Sequence, residues 1–320
     1  MRPLFVVEIC RRSMLSLICG AGLAAQERKV FLDYTQQELD AAYTQARFAA
    51  NIRQVQQRYA LNSDAARSKL GAPSRYTYGA SAVEQLDVFL GAAARRPAPI
   101  CLFVHGGAWR SDIAKDFAFL AEPFVAAGAH FIIPDFAHVQ DVGGDLRELA
   151  AQVRRAIIWV FRNAPTLNGD SNRIYVVGHS SGAHLAATAI AANWTQLYSL
   201  PRDIIKAGLL VSGMYDLRAP RLSYRSSYVK FDDEVEAELS PQRHIEDIRA
   251  RLVVSFGSLE SPEFQRQSRD FVSKLRAAGK SVEEIVAAQY NHFEILETLA
   301  NPHGILGAAA LRLFGLSAAR

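Results

Sequence analysis

A serine stands at position 180 between two glycines, in Gly178-His179-Ser180-Ser181-Gly182. The run Arg173-Ile174-Tyr175-Val176-Val177 precedes it and the small, apolar stretch Ala183–Ile190 follows. That order predicts strand, sharp turn and helix, with the serine held in a strained conformation at the tip of the strand. Glycines at both flanks avoid collision between the turn and its neighbouring strand and helix. The hydroxyl then sits at the positive end of a helix, where a developing negative charge is favoured. The chemistry this suits is nucleophilic attack on an acyl carbon.

A serine hydroxyl is a poor nucleophile near neutral pH and needs a base, itself oriented by an acid. In one recurring arrangement of these three groups the acid and then the histidine follow the serine along the chain. Downstream, Ser255-Phe256-Gly257-Ser258-Leu259 runs into Glu260, and Ala287-Ala288-Gln289-Tyr290-Asn291 runs into His292. Both fall just after the C-terminal end of an expected strand, where sites form in open α/β sheets. Glu260 is the candidate acid and His292 the candidate base. Asp216, after the preceding strand, is the rival for the acid.

His105-Gly106-Gly107-Ala108-Trp109 is the second constellation. Backbone N–H groups of such a loop stabilise a carbonyl oxygen as it becomes an oxyanion. Gly106 and Gly107 are the expected donors, with the N–H of Ser181 completing the pair. Trp109, Tyr215 and Phe293 are candidate pocket walls, pointing to a flat or aromatic group on the substrate, although the same residues would also serve as core.

These residues need a scaffold. Strand-like runs lie at Gln85–Leu90, Pro99–Val104, Phe131–Pro134, Ile174–Val177, Ala207–Val211, Leu252–Phe256 and Val282–Ala288. Helical patterns lie at Leu146–Asn163, from Ala183, at Pro262–Ala278 and from Ile305. Continuous apolar strands separated by helices predict a parallel sheet covered on both faces. Three segments are expected: an N-terminal extension (1–28), a helical arm (29–75) and a catalytic α/β domain (76–320). In the arm, Thr35 and Glu38 have capping-box spacing, and the arm is a candidate pocket wall. The polar and aromatic stretch Met214–Ser240 is another.

The 320 residues carry a net charge of +4, without a block of Lys or Arg that would mark a nucleic-acid or anionic-membrane surface. Three cysteines, Cys10, Cys19 and Cys101, without paired spacing, argue against a disulfide framework or a zinc site. No metal and no cofactor are expected. No segment reaches the ~18 continuous apolar residues of a membrane span. Arg11-Arg12 followed by Met14–Ala25 has the outline of a short, interrupted signal peptide. A cytoplasmic location is expected, with export as the alternative. The sequence is silent on oligomeric state.

The loop His105–Trp109, the turn Gly178–His184 and the segments carrying Glu260 and His292 resemble the α/β-hydrolase superfamily. Glu260-Ser261-Pro262-Glu263-Phe264 and His292-Phe293-Glu294-Ile295-Leu296 resemble its kynurenine formamidase (arylformamidase) branch, close to the HGG-bearing carboxylesterases. The likeness spans roughly residues 30–315. It implies an α/β-hydrolase fold and a cofactor-free hydrolase for a small carboxylic ester or aryl formamide. Two positions depart from the branch: Glu260 stands where Asp is usual, and Ala108 where Tyr is usual, which should open the pocket beside the oxyanion loop. An acyl transferase using the same triad, and a non-catalytic small-molecule-binding protein on the same fold, are the alternatives.

Overall fold

The computed structural model describes residues 28–91 and 97–318. The signal-like segment, Cys10 and Cys19 lie outside the described residues. The first described segment opens with a small hairpin, β1 (Lys29–Phe31) and β2 (Tyr34–Thr35), then α1 (Gln36–Ala42) and α2 (Ile52–Leu70). Thr35 caps α1 in a complete capping box: its hydroxyl accepts from the N–H of Glu38, whose carboxylate accepts from the N–H of Thr35.

Next come β3 (Ser74–Thr77), β4 (Gln85–Phe89), β5 (Ala98–Val104), α3 (Ala121–Ala126), β6 (His130–Pro134) and α4 (Leu146–Asn163). Then follow β7 (Gly169–His179), α5 (Ser181–Ile190), α6 (Trp194–Tyr198), β8 (Ile205–Val211), α7 (Arg218–Leu222) and α8 (Asp233–Glu238). The chain closes with β9 (Arg251–Gly257), α9 (Pro262–Ala277), β10 (Val282–Ala287), α10 (Glu294–Glu297) and α11 (Ile305–Phe314).

One eight-stranded sheet runs in the order β10-β9-β8-β7-β5-β6-β4-β3. The pairings from β10 through β6 are parallel, and β4 pairs antiparallel with both β6 and β3. Alternate residues of each central strand feed two separate apolar layers. On β5, Ile100, Leu102 and Val104 join the layer with α4 and α5, whereas Cys101 and Phe103 join the layer with α3 and α11. Because both faces are dry, the strands read as continuous apolar runs rather than alternating ones. Each large side chain so buried contributes about 1.5–3 kcal/mol relative to exposure.

Two differences from the sequence reading are local. The strand read as Ile174–Val177 begins earlier, at Gly169, and continues to His179. β3, an edge strand of polar residues, carries no periodic signal, because most of it faces solvent. Among the described residues no helix is long and apolar enough to cross a membrane.

Candidate active site

β7 ends at His179, α5 begins at Ser181, and Ser180 between them has φ 57° and ψ −125°. That left-handed backbone is costly for a residue with a side chain and persists only where the surroundings enforce it. The enforcement is visible at Gly182. A Cβ there would lie 2.1 Å from the carbonyl oxygen of Val104 and 2.2 Å from that of His105. A Cβ at Gly178 would lie 2.6 Å from the oxygen of Gly182. The helix can therefore start tight against the end of β5 only with glycine at both places.

His292 lies in the turn after β10, and its Nε2 is 2.9 Å from Ser180 Oγ. Its Nδ1 is 2.9 Å from Glu260 Oε2. A carboxylate oxygen accepts, so Nδ1 carries the proton, which leaves Nε2 to accept from the serine hydroxyl. The other oxygen of Glu260 accepts from the Ser212 hydroxyl and from the N–H of Gly257, both at 2.6 Å. Hydrogen bonds to a charged acceptor contribute about 1.5–3 kcal/mol each, so the carboxylate is held in one orientation. All three side chains are buried. Asp216 makes no such contact. Its oxygens accept from the N–H of Arg218 and the amide of Gln242.

His179, directly before the serine, braces the turn that carries His292. Its Nε2 lies 2.8 Å from the backbone oxygen of His292, to which it donates. Burial, with a smaller contribution from nearby His292, lowers its pKa to about 3, so the ring stays neutral.

The glycine loop packs against the same turn. A Cβ at Gly106 would lie 3.1 Å from Ser180 Cβ, and Gly107 has φ +96°. Gly107 and Ala108 line the cavity above Ser180, whereas Gly106 does not. Gly106 is thus a close-packing position rather than a cavity wall. Trp109 also departs from expectation. It is 1 % exposed and lies in the core, where its N–H donates to Ser181 Oγ and its Nε1–H to His184 Nδ1. These bonds fasten the glycine loop to α5. Tyr215 is likewise a core residue, stacked on Phe271 at 4.3 Å. Phe293 does line the cavity, edge-on to His292 at 5.2 Å.

The cavity has a volume of about 460 Å³. Much of its wall comes from the first described segment, including Tyr43, Gln45, Ile52, Gln56 and Tyr59. That segment also fixes the loops bearing Glu260 and His292. Gln45 bonds Ser261, next to Glu260, through both ends of its amide. Asn51 accepts from Asn291 Nδ2 at 2.9 Å, and Tyr59 donates to the backbone oxygen of Phe293 at 2.6 Å. None of these partners could be read locally, since they are more than 200 residues apart in sequence. From the stretch Met214–Ser240, expected as a pocket wall, Tyr224 and Arg225 line the cavity, although the sequence did not single out either residue. Among the described residues no cluster of His, Cys, Asp and Glu is arranged to hold a metal ion.

A family model described as BD-FAE matches residues 86–208. Kynurenine formamidase of Danio rerio is 31% identical over 245 residues, covering 75% of this chain and 81% of that protein. The chain belongs to the α/β-hydrolases, in their formamidase and esterase branch. Esterase LipC of Mycobacterium tuberculosis is 28% identical, covering 72% of this chain and 59% of that one. The crystal structure of esterase LipW from Mycobacterium marinum superposes with a TM-score of 0.64 at 18% identity, covering 84% of this chain and 88% of that one. This α/β-hydrolase is therefore a hydrolase by family, and its mostly parallel sheet is the family's fold.

Proposed function

We propose that this hydrolase cleaves a small carboxylic ester or an aryl formamide through an acyl-enzyme formed on Ser180. The observation that carries the reading is the hydrogen-bonded series Ser180–His292–Glu260, with 2.9 Å at each step, at the floor of the cavity.

Ser180 Oγ attacks the acyl carbon while its proton passes to His292 Nε2. Glu260 stabilises the imidazolium so formed. The N–H groups of Gly107 and Ser181 stabilise the oxyanion. Removing one such donor typically costs about 3–4 kcal/mol of transition-state stabilisation. As the tetrahedral intermediate collapses, the bond to the alcohol or arylamine breaks and His292 returns the proton to that leaving group. Water, activated by the same histidine, then attacks the acyl-enzyme and frees Ser180. Ester or formamide chemistry is supported by the esterase and kynurenine formamidase relatives. Ala108 beside the loop leaves space for a bulky group next to the reacting carbonyl.

The test compares kcat/KM on N-formylkynurenine and on p-nitrophenyl acetate, for the wild type and Ser180→Ala. Ser180→Ala should lower kcat on the better substrate by on the order of 10⁶. A variant that retains a few per cent of wild-type activity would remove Ser180 as the nucleophile. A wild type that turns over the ester alone would retire the formamide half of the proposal.

A further inference from the structure

Arg225 is 3 % exposed, yet it forms no ion pair among the described residues. Burying a guanidinium away from water is unfavourable unless its donors and its charge are met. Its charge is met here only by aromatic faces and neutral oxygens. The guanidinium carbon lies 5.3 Å from the ring centroid of Trp109, 5.5 Å from that of Tyr43 and 6.0 Å from that of Tyr224. Nη1 donates to the Tyr228 hydroxyl at 2.8 Å and Nη2 to the backbone oxygen of Tyr43 at 3.3 Å. Arginine has five N–H donors, and its Nε–H here is enclosed without a partner.

This side chain lines the same cavity as Ser180. Arg110, stacked at 4.6 Å on the ring of Tyr228, lines it too and adds a second positive charge. Asp112 and Asp116 line the cavity from the stretch between β5 and α3, and they repel an anion from their part of the wall. The aromatic cage holds the guanidinium in one place, so little side-chain freedom is lost on binding.

We propose that Arg225, seconded by Arg110, is the carboxylate-recognition site of this pocket, and that the substrate carries an anionic substituent away from the scissile carbonyl. This deepens the functional reading above and rests on the cavity being the substrate site. Planar, forked donors suit a carboxylate better than a point charge does.

The test is binding, read apart from turnover. Ser180→Ala protein is titrated by calorimetry with 4-phenylbutyrate and with its neutral isostere 4-phenylbutyramide. The carboxylate should bind at least about tenfold more tightly, and Arg225→Met in the same background should abolish that preference while leaving amide binding unchanged. Equal binding of the two probes, or an Arg225→Met loss shared by both, overturns the proposal. If Arg225→Met does not fold, the carboxylate-to-amide ratio with Arg225 intact decides, and Arg110→Met should reduce that ratio. Fluorophosphonate labelling of the wild type reports separately on Ser180, so failure of the nucleophile assignment and failure of the anion site are told apart.

Discussion

Gln45, on the cavity wall, and Ser261, buried behind it, exchange two hydrogen bonds. The amide Nε2 donates to Ser261 Oγ at 2.7 Å, and the N–H of Ser261 donates to the amide oxygen at 3.3 Å. Ser261 follows Glu260 and caps α9, so this pair ties the acid to a segment that is not part of the sheet. Gln45→Ala leaves the buried N–H of Ser261 unpaired, at about 1–3 kcal/mol, and removes one of the two donors to its hydroxyl. Part of that should appear as misplacement of Glu260: kcat should fall by roughly tenfold or more with KM little changed. Gln45→Glu, which keeps one acceptor, should recover part of the loss. An equal fall in 1/KM and kcat would show that Gln45 merely shapes the pocket.

The acid is testable by contrast. Glu260→Gln should lower kcat by roughly 10⁴, as for triad acids generally. Asp216→Asn should stay within a few-fold, because Asp216 meets Arg218 and Gln242 and not the histidine. Steady-state kinetics of the two variants on one ester decide the matter, and a larger effect at Asp216 reverses the assignment.

Two glycines should fail in different ways. Gly182→Ala drives a methyl group to 2.1 Å from a backbone oxygen of β5, where nothing flexible can yield, so the protein should lose most of its stability or not accumulate. Gly106→Ala asks neighbours at 3.1–3.3 Å for a few tenths of an ångström. It should fold and melt within several degrees of wild type while losing activity, because the neighbours that must give are Ser180 itself and His179 beside it. Thermal melts beside kcat for both variants test this.

Stability should fall in mild acid. Burial lowers the pKa of His179 to about 3 and that of His184 to about 4, from 6.5. Above about pH 6.5 both are neutral in the folded and unfolded chain, and their full contribution is present. Below it the unfolded chain takes up protons that the folded chain refuses, so stability declines toward pH 4. Each histidine contributes a slope of up to about 1.4 kcal/mol per pH unit. Urea midpoints at pH 7, 6 and 5 should decrease steadily, and His184→Gln should flatten the decline even if it lowers the midpoint at pH 7. A flat profile in the wild type would contradict the burial argument.

What was legible in the sequence was what local pattern encodes. Helix α4 could be bounded at Leu146 and Asn163 from its apolar spacing alone, and the structure adds the Asp145 cap at its start. The turn at Ser180 and the segments ahead of Glu260 and His292 stood out because glycines and strand ends mark them. Aromatic type alone misled at Trp109 and Tyr215: a large ring beside a site serves equally as core, and here the indole N–H finds its partner on α5 rather than in the cavity. The stretch holding Arg225 was marked as a candidate wall, but the residue itself did not stand out, because Tyr43 and Trp109 come beside it only after folding.

The cavity wall contributed by Tyr43, Gln45 and Tyr59 stands outside the strand–helix alternation that holds Ser180, Glu260 and His292. Part of recognition is thereby written in a stretch of the chain that precedes the serine turn. Substitutions at wall positions such as Ile52 and Gln56 on α2 can redraw which molecules enter without touching the tightly packed glycines of the serine turn. Where a wall residue also braces the Glu260 or His292 loop, as Gln45 and Tyr59 do, a change of substrate and a change of rate arrive together.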